Sequence, residues 1–216
     1  MTALLFGSIS TLADTSEIQR DAFNQAFKQH GLDWDWNQQE YAGLLGSNGG
    51  QDRVAAYAES RGETVDAEAV HATKSRIYQE TLRSSDITAR DGVAETFRAA
   101  KEQGLKVGLV TTTSADNLAA LSDALGDTVP FDQFDVVVDQ SKVTARKPDA
   151  EAYTYALQQL GEDASDVVAI EDNLGGVQSA KAAGVSVVAF PNGNTTGQDF
   201  GDVRRVDSID LADLRQ

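Results

Sequence analysis

Three apolar runs in this chain end in residues able to hold an oxyanion or a cation. Residues 167–170 run into Glu171-Asp172, followed by Asn173-Leu174-Gly175-Gly176. Adjacent carboxylates at a strand end are poor structural choices unless something cationic sits there, and hard oxygen ligands of this kind suit Mg²⁺. The alternative is a charged loop with an N-cap. Residues 107–110 end in Thr111-Thr112-Thr113-Ser114 where the next helix begins. Hydroxyls and free N–H groups at a helix N-terminus suit a phosphate oxyanion, although each alone reads equally as a cap. Arg146-Lys147-Pro148 precedes another helix, and Lys147 there is either a point charge for phosphate or a solvated lysine.

A fourth segment has the same shape without the chemistry. Residues 3–6 form a short apolar strand leading into Gly7-Ser8-Ile9-Ser10-Thr11. Open α/β sheets bind ligands at such strand ends. A turn that does chemistry there usually carries carboxylates, and the available positions hold Gly7 and Ile9. Ser8 and Ser10 are conceivable nucleophiles, but no base lies near them in sequence, and a serine hydroxyl needs one.

The elements that position these residues fall into two groups. Asp14 or Thr15 caps a helix running to about His30, with Ile18, Ala22, Phe23, Ala26 and Phe27 at helical spacing. A short helix over 38–45, the break at 46–50, a helix over 51–61 and a longer one capped by Asp66 follow. That is a four-helix stretch without a strand. From Asp91 onward helices alternate with strands at 106–111, 134–138, 167–170, 185–190 and a last short one near 203–206. Continuous apolar strands between helices predict a doubly wound parallel sheet covered on both faces.

Composition narrows the partners. The net charge of −16 argues against nucleic acid and anionic membranes. It reads as a highly soluble surface, or as adaptation to a salt-rich cytoplasm. Zero Cys excludes disulfides and Cys-ligated zinc and fits a cytoplasmic protein. No apolar run approaches a membrane span, and no signal peptide is visible. Without an apolar surface patch, monomer is the default. His30 and His71 fall in the helical stretch and read as surface or helix-end residues.

Taken together, the four strand ends and the insert resemble the haloacid dehalogenase (HAD) superfamily, specifically its β-phosphoglucomutase-like, CbbY-type sugar-phosphate phosphatases. In that family the first strand ends in Asp-x-Asp-Gly-Thr, a Thr or Ser ends the second motif, Lys-Pro forms the third and Glu-Asp the fourth. The matching positions are Gly7-Ser8-Ile9-Ser10-Thr11, Thr111, Lys147-Pro148 and Glu171-Asp172. His30 to Trp34, and Gly49-Gly50 followed by Arg53, resemble cap segments. The resemblance implies a Rossmann-like core at 1–14 and 88–216 with a helical cap at 15–87. It implies Mg²⁺-dependent phosphoryl transfer on small phosphorylated sugars.

In the family the first Asp is the nucleophile and the second the general acid/base, and both help to hold the metal. Gly7 and Ile9 can do neither. Phosphate-monoester hydrolysis requires accelerations up to about 10²¹-fold, which positioning alone does not supply. The expectation is a pseudoenzyme that keeps a phosphate shell of Ser8, Ser10, Thr111, Thr112 and Lys147. Glu171 and Asp172 would hold Mg²⁺ weakly or not at all, and Gly49, Gly50 and Arg53 would approach the sugar. Two alternatives stand beside it: an active phosphatase or phosphomutase with a non-standard nucleophile, and an altered enzyme whose native form had both carboxylates. A receiver-like or nucleotide-binding domain would explain the sheet but not the insert, and no dinucleotide or P-loop glycine spacing is present.

Overall fold

The computed structural model describes residues 1–46 and 49–215. Its centre is a five-stranded parallel sheet in the order β3-β2-β1-β4-β5. The strands are β1 (Ala3–Phe6), β2 (Lys106–Val110), β3 (Val136–Val138), β4 (Val167–Glu171) and β5 (Ser186–Ala189). β1 lies in the middle, and the chain winds to β2 on one side and later to β4 on the other. Phe6 pairs with Leu109 and with Ile170, so the carboxyl ends of three strands finish level. Gly7, Thr111 and Glu171-Asp172 therefore share one edge, the topological switch point where such sheets bind ligands.

Alternation along β1 sends Leu4 and Phe6 to one face and Ala3 and Leu5 to the other, each into its own apolar cluster. Helices cover both faces: α6 (Val93–Glu102) and α7 (Ala115–Leu125), then α8 (Glu151–Leu160) and α9 (Leu174–Ala182). A four-residue helix, α1 (Ile9–Leu12), follows β1 directly, where the sequence predicts only a turn. Ser8 makes it possible, because its hydroxyl accepts the Thr11 N–H as an N-cap.

Between α1 and α6 the chain is helical: α2 (Ser16–Gln29), α3 (Gln38–Leu44), α4 (Gly50–Ser60) and α5 (Ala67–Ser84). Phe23 and Phe27 of α2 pack against Trp36, at 5.0 and 4.6 Å between ring centroids, and Trp34 stands 5.2 Å from Phe27. This aromatic block belongs to the same apolar cluster as Leu4 and Phe6 of the sheet, so the insert is fastened to the core by packing. Polar ties add to it. Gln79 of α5 donates to Asn117 of α7 at 2.9 Å, and Asn194 donates to Glu17 of α2 at 2.7 Å.

Several boundaries differ from expectation. The carboxylate that caps α2 is that of Asp14, which accepts the Ser16 N–H, whereas Thr15 occupies the cap position and its hydroxyl accepts from Tyr78 instead of capping. β3 begins at Val136 because Phe134 closes a tight turn and the Asp135 carboxylate accepts the Val107 N–H. The predicted strand near 203–206 is a single bridge between Ala189 and Arg205. Four charged residues among 202–207 leave it nothing to bury. Among the described residues, no helix is long and apolar enough to cross a membrane.

Candidate functional site at the strand ends

A cavity of about 620 Å³ opens between the carboxyl edge of the sheet and the helical insert. Its floor includes Ser8, Ile9, Ser10, Thr111, Thr112 and Asp172. Its roof includes Gly49, Gly50, Arg53, His71 and Lys74. The structure thus gathers most of the residues singled out in the sequence. Ser47 and Asn48, within the 46–50 break, lie outside the described residues.

Gly7 explains the rest of the floor. Glu171 ends β4 on the face shared with Val167 and Ala169, and its carboxyl reaches sideways into the space beside Gly7. A Cβ at Gly7 would stand 2.1 Å from the Glu171 carboxyl carbon, and one at Gly176 would stand equally close. Two glycines therefore make the slot that Glu171 fills. The carboxylate is fully buried, accepting from Lys147 Nζ at 2.6 Å and from the Tyr153 hydroxyl at 2.7 Å, both through Oε1. Oε2 is buried without a hydrogen-bond partner among the described residues. Burial raises the Glu171 pKa above the ordinary carboxylate range, and this outweighs the opposing pull of Lys147. Tyr153 is pushed well above the phenol range by its own burial and then by Glu171.

Lys147 is placed differently from the expectation that it neutralises phosphate. It is absent from the cavity lining, and its Nζ donates to the Gly7 and Val110 carbonyls as well as to Glu171. Those three acceptors match the three donors of an ammonium, so it serves as the internal counter-ion of Glu171. The peptide joining it to Pro148 is cis.

The Mg²⁺ implied by the resemblance does not fit these residues. Glu171 points away from the cavity. Asp172 remains at the wall, but Oδ1 accepts from Ser8 Oγ at 2.6 Å and from Asn173 at 3.0 Å, and Oδ2 accepts from Asn192 at 3.0 Å. Ile9 stands at the wall as the start of α1 and belongs to the apolar cluster. Among the described residues no group of three His, Asp or Glu could hold a metal ion.

Ser8 gains the neighbour that sequence could not show, since Asp172 lies 164 residues away. Its hydroxyl hydrogen goes to that carboxylate while its oxygen caps α1, so both functions of the hydroxyl are engaged in structure. Thr111 Oγ1 likewise accepts the Thr113 N–H, and Ser114 caps α7. What these turns offer a ligand is chiefly their hydroxyls and the amide groups at helix starts.

The roof is cationic. Gly49, at φ +103°, starts α4 in a conformation that suits glycine, and a Cβ there would meet Asp52 and Arg146. A Cβ at Gly50 would stand 2.6 Å from His71 Nε2. Arg53 donates to the Leu44 carbonyl at 3.0 Å and stacks 5.7 Å over Tyr41. His71 corrects the surface reading given above. It faces the cavity, and burial together with the Lys74, Arg146 and Arg53 cations pushes it down to about 4. His30 ends α2 as expected and bonds Thr73. Sequence reasoning also missed Arg90, which donates to the Ser10, Phe190 and Pro191 carbonyls and so pins the turn after β1.

This sheet order, with an all-helical insert after the first strand and a cavity between them, is that of a HAD-type hydrolase. The sequence matches the haloacid dehalogenase-like hydrolase family over residues 10–190, and the chain belongs to that family. It is 38% identical to Protein CbbY of Rhodobacter capsulatus over 93% of this chain and 89% of that one. Crystalline CbbY from Rhodobacter sphaeroides in complex with phosphate superposes with a TM-score of 0.91 at 32% identity, covering 100% of both chains. A mutant of the same protein in complex with xylulose-(1,5)bisphosphate gives 0.88 at 32% identity, covering 96% and 94%.

Proposed function

We propose that this chain is a sugar-phosphate-binding member of its phosphatase family with little or no phosphoryl transfer. The observation that carries the reading is the floor of the cavity. Gly7 and Ile9 stand where the family has its nucleophile and its acid/base, and Glu171 has closed into the space beside Gly7. Covalent catalysis needs a group that attacks and a group that moves the proton. The Ser8 hydroxyl, which has a carboxylate partner at the floor, is committed to capping α1 and to Asp172.

The phosphate shell in this reading is Ser8, Ser10, Thr111 and Thr112 with the amides at their helix starts, all on the cavity wall. Residues 15–87 act as the cap, and Gly49, Gly50 and Arg53 face the sugar. The CbbY complexes with phosphate and with a sugar bisphosphate support a ligand of this class. The acidic chain, as a cytoplasmic monomer, would meet such ligands free in solution.

Thermal-shift and calorimetric titrations test the binding. Inorganic phosphate and pentose phosphates raise Tm at millimolar concentration, with or without Mg²⁺. No shift with any of them turns the reading toward a purely structural or protein-binding role.

A further inference from the structure

The floor does not use a buried lysine that the roof turns toward the ligand space. Lys74 is 3% exposed and lines the cavity. In a chain with 34 acidic residues against 18 basic ones, four other lysines pair with carboxylates: Lys101, Lys106, Lys147 and Lys181. Lys74 has no carboxylate within ion-pair distance among the described residues. Its amine donates to the neutral Gln19 Oε1 at 3.0 Å and lies 4.9 and 4.8 Å from the Phe23 and Tyr78 ring centroids. His71, one turn earlier on α5, packs on the same Phe23 ring and also faces the cavity.

Burial, reinforced by Arg53, lowers the Lys74 pKa to about 7, so a large share of the amine is uncharged at neutral pH. A neutral amine in a pocket is a nucleophile toward carbonyl carbon. Sugar phosphates in their open-chain form carry such a carbon.

We propose that Lys74 captures the carbonyl group of an open-chain ketose or aldose phosphate as an imine, resting on the sugar-phosphate reading above. The amine lone pair forms the C–N bond while the carbonyl π pair moves to oxygen. A proton passes from nitrogen to that oxygen, giving a carbinolamine. The carbinolamine hydroxyl then takes up a proton, and the C–O bond breaks so that water leaves with the bonding pair as the nitrogen lone pair forms C=N. Loss of the remaining N–H proton repays the one taken up. Amine and carbonyl give imine and water, with no oxidant or reductant consumed. The neutral His71 imidazole is positioned on the same wall for the proton transfers. Capture of this kind would retain a sugar phosphate without touching its phosphoryl group.

The test uses the full chain at neutral pH with dihydroxyacetone phosphate and cyanoborohydride, read by intact mass and peptide mapping. The expected result is one reduced adduct on the Lys74 peptide, about tenfold or more above the exposed Lys28 and Lys142. Glycerol 3-phosphate, which lacks the carbonyl, gives none. Inorganic phosphate protects the wild-type chain, a readout that needs no variant, and Lys74→Arg removes the adduct. No adduct, or one spread over surface lysines, overturns the proposal. If phosphate raises Tm while no adduct forms, Lys74 is only an electrostatic contact and this inference alone falls. If the Lys74 adduct forms without any phosphate shift or protection, the capture stands and the phosphate reading falls.

Discussion

The floor and the roof of the cavity come from different parts of the chain and handle charge in opposite ways. At the floor the strand ends turn their charges inward. Glu171 lies in the slot between Gly7 and Gly176, Lys147 is held by Glu171 and two carbonyls, and Asp172 collects three donors. In the roof Lys74 and His71 face the cavity, each held below its ordinary pKa by burial and neighbouring cations. The space beside Gly7 is thus no open hole; the Glu171 carboxyl fills it. The roof leaves those two nitrogen bases, with Arg53, along the cavity wall.

The largest effect on stability should come from breaking the floor. Lys147→Met strands a buried Glu171 carboxylate and should cost about 3–5 kcal/mol in urea denaturation. Lys147→Met/Glu171→Leu should recover much of that, and equal losses in the two variants would show that Glu171 is not held by this pair.

Gly7→Ala should cost about 2 kcal/mol by overfilling the slot. The penalty should shrink when Glu171→Ala is added. A neutral Gly7→Ala would mean that the slot is not filled as described.

The roof is reported by pH. The folded pKa of His71 is lowered to about 4, below its unfolded value of about 6.5. As pH falls through 6.5 the unfolded chain takes up a proton that the folded chain refuses until about 4. Stability is therefore present above 6.5 and lost across that window, by about 2 kcal/mol after allowing for partial exposure. The wild-type curve minus that of His71→Gln isolates this limb, and a flat difference would place His71 in solvent.

The smallest effect is expected from metal removal. A chelator should leave Tm and phosphate affinity unchanged, because among the described residues the floor offers no cluster of carboxylates. A chelator-dependent loss would show that Glu171 swings outward.

Much of this was legible in the residues. Alternating helices and apolar strands predicted the sheet, and the order of Thr111, Lys147 and Glu171-Asp172 placed the site along its edge. The empty positions at Gly7 and Ile9 could also be read directly. The inward turn of Glu171 could not, because it depends on Gly7, Gly176 and Tyr153 meeting in space from three separate segments. The Ser8–Asp172 contact was hidden for the same reason. Lys74 did leave a signal: Val70, Lys74 and Ile77 lie on one stripe of α5, so a charge sat on a face otherwise turned inward. Residues 203–206 form a single bridge and no strand because Asp202, Arg204, Arg205 and Asp207 surround the two valines.

Side-by-side phosphate release from a panel of sugar phosphates, xylulose 1,5-bisphosphate included, tests the closed floor most directly. The comparison is between the unmodified chain and Gly7→Asp/Ile9→Asp/Ser10→Gly. The unmodified chain should release nothing above background while still gaining stability from phosphate. Turnover by the unmodified chain comparable to that of the restored one would contradict it.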